Sequence, residues 1–226
     1  EVRGVSPELL AMLTRCAPSV HPETMAAVVS AESSGHKYAI ADAGPRHLPW
    51  SQRKSMVRSF YFGSVGDAVG KANSLIAAGH TVSLGPAQIN DRNLARLGLT
   101  VESVFDPCTN IAAGGRILTE FYERAAKEFG PGPRALRAAL SAYNSGDWLR
   151  GERDGYVDRV ARHVGRPIEL HTGKPGRGSA AGAGVPAVSA AAGGDAWWKG
   201  LPARRTGQET GGRRFALSSR EFFGEH

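Results

Sequence analysis

The apolar positions of this chain fall mostly at helical spacing, and turn-forming residues divide them into blocks. Ser6-Pro7-Glu8 opens the first block, with Ser6 as cap and Pro7 in the first turn, and Leu9, Leu10 and Leu13 carry it towards Cys16. Pro18 and Pro22 then break the chain. In Thr24-Met25-Ala26-Ala27-Val28-Val29-Ser30-Ala31-Glu32-Ser33-Ser34-Gly35, residues Met25, Val28 and Val29 recur at i, i+3 and i+4, which predicts an amphipathic helix stopped at Gly35. Residues 36–64 lack a helical period and read as loops and short strands. Val65 to Ala78 reads as helix again, with Val69, Leu75 and Ile76 apolar and Gly79 as its stop. The stretch from Thr81 to Asn90 opens as a strand or loop and passes into a helix near Asn90, packed by Leu94, Leu97 and Leu99.

Asn110 is a possible cap for the next helix, which runs to about Phe129 through Ile111, Leu118, Phe121 and Tyr122. Gly114-Gly115 inside it costs helix stability, so the pair predicts close approach of another helix. Arg134 to Tyr143 is a further helix, ended by Asn144-Ser145-Gly146, and a last one spans about Gly155 to Val164. The pattern therefore predicts a mainly α domain over residues 1–167, with a small irregular or β lobe between the helices. After Pro167 the composition turns to Gly, Ala and Pro, and residues 168–226 read as a flexible linker and tail. Trp197-Trp198 and the aromatics between Phe215 and Phe223 punctuate that tail. They are either incidental or a docking motif that orders on a partner.

Composition changes this picture in three ways. Of 226 residues, 41% are hydrophobic, enough for a core. No apolar run is long enough to cross a bilayer, and no signal peptide stands at the start, as in an exported product whose signal has been removed. Lys plus Arg exceed Asp plus Glu by 28 to 21, for a net +7 and a pI near 9.8. That balance suits an anionic polymer, but the basic residues are scattered and no nucleic-acid module accompanies them. The two cysteines, Cys16 and Cys108, are wrongly spaced for zinc. An even count in an otherwise cysteine-free chain points to one long-range disulfide and an oxidising compartment; two buried free thiols are the alternative.

The candidate chemistry sits on Glu32. At i+7 from Met25 it falls on the apolar stripe, where lost hydration raises a carboxyl pKa, and a helix C-terminus pushes the same way. Such a group can hold a proton near neutral pH and donate it. On this helix alone, a glutamate that reaches solvent or pairs with an arginine is the simpler reading. Three further segments change that balance: Ser83-Leu84-Gly85-Pro86-Ala87-Gln88-Ile89-Asn90, Phe105-Asp106-Pro107-Cys108-Thr109-Asn110-Ile111 and Ala142-Tyr143-Asn144-Ser145-Gly146. With Glu32-Ser33-Ser34-Gly35 they stand in an order and spacing that resembles the soluble lytic transglycosylase family, of lysozyme-like fold. Within that family the chain most resembles the VirB1-type enzymes of type IV secretion systems, a match that Cys16-Ala17-Pro18 and Asp106-Pro107-Cys108 strengthen. The resemblance covers roughly residues 7–165.

It implies that Glu32 is the single catalytic acid and base. Gln88 and Asn90 would line the sugar cleft, with Ser83 near the reacting centre. Tyr143 and Asn144 would face Glu32 across the groove. The substrate would be peptidoglycan, cut between N-acetylmuramic acid and N-acetylglucosamine in the periplasm, with secretion-system or pilus components as possible partners. That chemistry needs no metal and no cofactor. Most glycosidases use two carboxylates. Here no second Asp or Glu motif compares with Glu32; Asp42 and Asp91 are the nearest options, and neither has a supporting pattern. Pro86-Ala87 departs from the larger residues the family carries after Gly85. A lysozyme-type hydrolase and a silent wall-binding scaffold are the competing readings.

Overall fold

The computed structural model describes residues 3–173, and the tail with Trp197-Trp198 lies outside them. Ser6 caps α1 (Pro7–Cys16) by accepting a hydrogen bond from the Leu9 amide, and Leu9 and Leu13 are buried. The helix α2 (Pro22–Ser33) follows. It differs from expectation: Thr24 through Ser33 are all buried, so the helix is enclosed on every side rather than amphipathic. Its small residues, Ala26, Ala27, Ser30 and Ala31, present a polar or weakly apolar profile that period alone reads as a wet face. Other elements cover them instead. Full burial of Met25, Val28 and Val29 contributes about 1.5–3 kcal/mol each.

The irregular stretch resolves into a sheet of four antiparallel strands in the order β2-β1-β3-β4. These are β1 (Ala39–Pro45), β2 (Arg58–Tyr61), β3 (His80–Leu84) and β4 (Ile89–Asn90). The register sets Ala41 opposite both Ser59 and Ser83, and Ser83 opposite Asn90. Those side chains therefore share one face. Between β1 and β2 lies the short helix α3 (Trp50–Arg53), and between β2 and β3 lies α4 (Val65–Ala77), capped by Ser64. A 3-10 turn follows Asn90, whose side chain caps it at the Arg92 amide, and α5 (Leu94–Leu97) and α6 (Val101–Val104) complete the crossing.

The long helix α7 (Pro107–Phe129) starts at Asp106, which accepts from the Thr109 amide. Asn110 is therefore not the cap. It is fully buried and serves another element, described below. Against α7 pack α8 (Pro133–Ser145), then α9 (Arg150–Arg153) and α10 (Tyr156–His163), which returns to α2. Both glycines of α7 sit where another segment leaves no room. A Cβ at Gly114 would stand 2.9 Å from Met25 Cε of α2, and one at Gly115 would stand 2.8 Å from Ala17 Cβ. Beyond α10, Ile168 bridges Val5 and His171 bridges His36, so the chain packs on the domain through His171.

Cys16 and Cys108 form a disulfide, with Cα atoms 5.5 Å apart, joining the end of α1 to the first turn of α7. No helix of the described residues is long and apolar enough to cross a membrane.

Candidate active site

Glu32 lies in the last turn of α2, only 3% exposed. The helix ends immediately after it. Ser34 takes the left-handed conformation at φ 54° and Gly35 follows at φ 85°. Burial raises the Glu32 pKa to about 7, while the Tyr156 hydroxyl and the nearby Arg159 charge pull it down. The Tyr156 hydroxyl donates to Glu32 Oε1 at 2.6 Å, and the Arg159 guanidinium stands 5.0 Å from the centre of the Tyr156 ring. This carboxyl is thus part protonated at neutral pH, and its ionised form has one strong donor ready for it.

Sequence reasoning passed over Tyr156. It reads as the first residue of an ordinary last helix, with only an aromatic beside Gly155 to mark it. Nothing in a local window shows that α10 crosses the end of α2. The left-handed Gly155 before it turns the chain into α10.

The segment between β3 and β4 packs directly against this helix end. Ser33 Oγ donates to the Pro86 carbonyl at 2.8 Å. Asn110 of α7 accepts from the Ala87 amide at 2.7 Å and donates to the Leu84 and Val104 carbonyls at 2.9 and 2.8 Å. The Tyr143 hydroxyl of α8 donates to the Ala87 carbonyl at 2.7 Å. Gln88 stands at φ 52°, and its amide nitrogen donates to the Gly85 carbonyl at 2.9 Å and the Ala39 carbonyl at 3.3 Å. Among the described residues, Ser34 and Gln88 are the two non-glycine residues with positive φ. Ser34 closes the helix that carries Glu32 and Gln88 sits in the turn bonded to that helix end through Ser33, and such backbone persists only where the surroundings over-determine it. Gly85 is required at φ 76°, because a Cβ there would collide with the Asn110 amide.

The residues expected at the site are all buried, and the fold places them in two groups. Tyr143 and Gln88 engage backbone carbonyls of the 85–88 turn or of β1 beside it. Close to Glu32, the Tyr143 hydroxyl is pushed well above its ordinary pKa by burial and then by the Glu32 charge. Ser83 and Asn144 are each 3% exposed, and neither side chain makes a hydrogen bond to another described residue. Asn90 donates to Thr81 Oγ1 at 3.3 Å and caps the turn after β4. Asp42 and Asp91, the nearest options for a second acid, are engaged elsewhere. Asp42 accepts from His80 Nδ1 and the Gly44 amide, each at 2.8 Å, and pairs with Arg58. Asp91 accepts from Thr81 and the Val82 amide and pairs with Arg46. A separate hollow of about 260 Å³ beside the disulfide, lined by Cys16, Ser19, Arg116 and Thr119 among others, includes none of the site residues. Among the described residues no cluster of three potential metal ligands occurs.

A helical body built on α2 and α7, with a small antiparallel sheet beside one buried glutamate, defines a lysozyme-like α+β protein. The family model for the transglycosylase SLT domain matches residues 11–158, and the chain belongs to that family. Curated relatives include the type IV secretion system protein virB1 of Brucella abortus, 41% identical over 157 residues, which is 67% of this chain and 61% of the relative. The protein virB1 of Agrobacterium fabrum is 29% identical over 160 residues, covering 71% of this chain and 60% of the relative. That of Rhizobium radiobacter is 32% identical over 147 residues, or 65% and 56%. The chain thus spans about three fifths of the length of the curated relatives it matches. No solved structure matches significantly.

Proposed function

We propose that this chain is a peptidoglycan lytic transglycosylase that acts in the periplasm, where it opens the wall locally for a type IV secretion or conjugation machine. In this reading residues 1–167 form the catalytic domain and the remainder is an appended tail. One observation carries it: a buried glutamate, held near pKa 7 and bonded by Tyr156, in a chain of the SLT family. The protonated Glu32 donates to the oxygen linking N-acetylmuramic acid to N-acetylglucosamine, and the C1–O bond breaks. The carbonyl oxygen of the sugar's own 2-acetamido group supports the positive charge at C1. The Glu32 carboxylate then removes the C6 hydroxyl proton as O6 closes on C1, which leaves a 1,6-anhydro end and returns Glu32 to its protonated state. No water is added, and the proton that left the acid is recovered.

The roles divide by what each side chain already holds. Ser83 and Asn144, buried without hydrogen-bond partners among the described residues, meet the acetamido and ring hydroxyls, and Asn90 extends that row along the sheet. Gln88 and Tyr143 border the same sugar site and keep the 85–88 turn in place. The engagement of Asp42 and Asp91 supports a one-carboxylate mechanism over a hydrolase with a second acid. Mass spectrometry of murein digests tests it: anhydro ends are expected from the wild type and none from Glu32→Gln. Reducing ends in place of anhydro ends would make the enzyme a hydrolase.

A further inference from the structure

Arg46, Arg58, Arg96, Arg116 and Arg137 each meet a carboxylate. Arg53, at the end of α3, is different. It is 5% exposed, and no carboxylate lies within ion-pair distance among the described residues. Its Nη1 donates to the Ala43 carbonyl at 3.3 Å, its guanidinium stands 5.5 Å from the Trp50 ring centre, and its buried Nε has no partner. The charge close enough to act on it is another cation, Arg92, and burial and Arg92 together lower the Arg53 pKa. Arg92 makes no ion pair with a described residue either. The acid beside it, Asp91, is taken by Arg46, Thr81 and the Val82 amide.

A buried charge without a counter-charge is costly, and a second cation facing it adds to the cost. An anion supplied from outside the folded chain would relieve that cost. Its place narrows the choice. Ala43 belongs to β1, and the Arg92 amide is bonded by Asn90, which the register sets opposite Ser83. The two arginines therefore border the sheet that carries Ser83 and Asn90, Arg53 through its bond to β1 and Arg92 two residues beyond Asn90. On a murein strand the sugars are neutral, and the negative charge sits on the carboxylates of the peptide stems. We propose that Arg53 and Arg92 form an anion subsite that receives a stem-peptide carboxylate, with the Trp50 ring as one wall. This inference rests on the peptidoglycan reading above. It adds which part of that substrate is recognised, through the planar two-point geometry that guanidinium offers a carboxylate.

The test uses the full chain carrying Glu32→Gln, which cannot consume the ligand. Titration calorimetry would compare N-acetylmuramyl dipeptide bearing a free carboxylate with the same compound amidated at that group. The acid form is expected to bind about tenfold tighter, and Arg92→Ala, at a half-exposed position, to remove that preference. Inorganic phosphate is expected not to compete with the acid form at equal concentration; effective competition would mean a general phosphate site and overturn the carboxylate assignment. Arg53→Met, which keeps the stem and removes the unpaired charge, is expected to leave the melting temperature unchanged or higher. Equal affinity for acid and amide, no binding of the acid at millimolar concentration, or a preference that survives Arg92→Ala would each overturn the proposal. The two readings fail separately. The wild type should yield anhydro ends from peptide-stripped glycan, which offers no stem carboxylate, and absence of such ends would remove the lytic reading instead.

Discussion

At the scale of single residues, the burial of Glu32 costs stability. Its pKa in the folded chain is about 7, against an ordinary value of 4.5. Between those two values the folded state binds a proton that the unfolded chain has already lost, so stability falls as pH rises from about 4.5 to about 7 and is flat above. The gap corresponds to roughly 3 kcal/mol. Glu32→Gln should therefore melt higher than wild type at pH 8 and alike at pH 4, while cleavage drops by about 10³-fold or more. Calorimetric scans at the two pH values check the first part; a variant that melts lower at pH 8 would contradict it. Tyr156 positions the acid and favours its ionised form, so Tyr156→Phe should move the alkaline limb of the pH–rate profile upward by about one unit and lower the maximal rate roughly tenfold. An unshifted limb would show that the hydroxyl does not touch the titration of Glu32. Reading residues alone raised a buried Glu32 beside the simpler solvent-reaching one, and the order of the four segments favoured the first. It did not find Tyr156, because a bond spanning 124 positions leaves no local mark.

At the scale of elements, the site is a junction rather than a motif. The 85–88 turn is held by α2 through Ser33, by α7 through Asn110 and by α8 through Tyr143. Asn110 looks like a helix cap in sequence because asparagine is common there; Asp106 has the cap, and Asn110 is freed to bind the turn. Gly114 is the space that lets these elements meet: a Cβ would come 2.8 Å from Ala87 Cβ and 3.0 Å from the Tyr143 hydroxyl. Gly114→Ala should cost about 1–3 kcal/mol and depress activity with it. Gly70 in α4 has nothing within 4 Å of an added Cβ. Gly70→Ala should gain about 0.5–1 kcal/mol and leave activity alone. Chemical denaturation of both variants decides, and similar shifts in the two would remove the crowding argument.

At the scale of the molecule, one covalent link ties the first helix to the long central one. The Cys16–Cys108 bond spans a sequence separation of 92. Closing a loop of that size restricts the unfolded chain by about 4–5 kcal/mol, which corresponds to a melting shift of roughly 10–20 °C in a domain of this size. Reduction, or Cys16→Ser with Cys108→Ser, should lower the melting temperature by that amount. An unchanged melt under reductant would mean the bond constrains little. The link also holds Ala17 against Gly115, beside the glycine that gives the junction at the 85–88 turn its room.

The longer helices, the breaks between them and the pairing of the two cysteines were legible in the sequence, because each depends on spacing within a turn or two or on composition, whereas the four-residue helices α3, α6 and α9 carry no such period. Four short segments in order also carried the family. Tertiary structure decided the rest: that α2 is enclosed on every side, that the irregular stretch pairs into a sheet with Ser83 beside Asn90, and that Tyr156 reaches Glu32. It also left Arg53 buried without a carboxylate partner among the described residues. Each of these depends on which distant surfaces meet, and desolvation and hydrogen bonding across a junction are set by neighbours that no window of the chain contains.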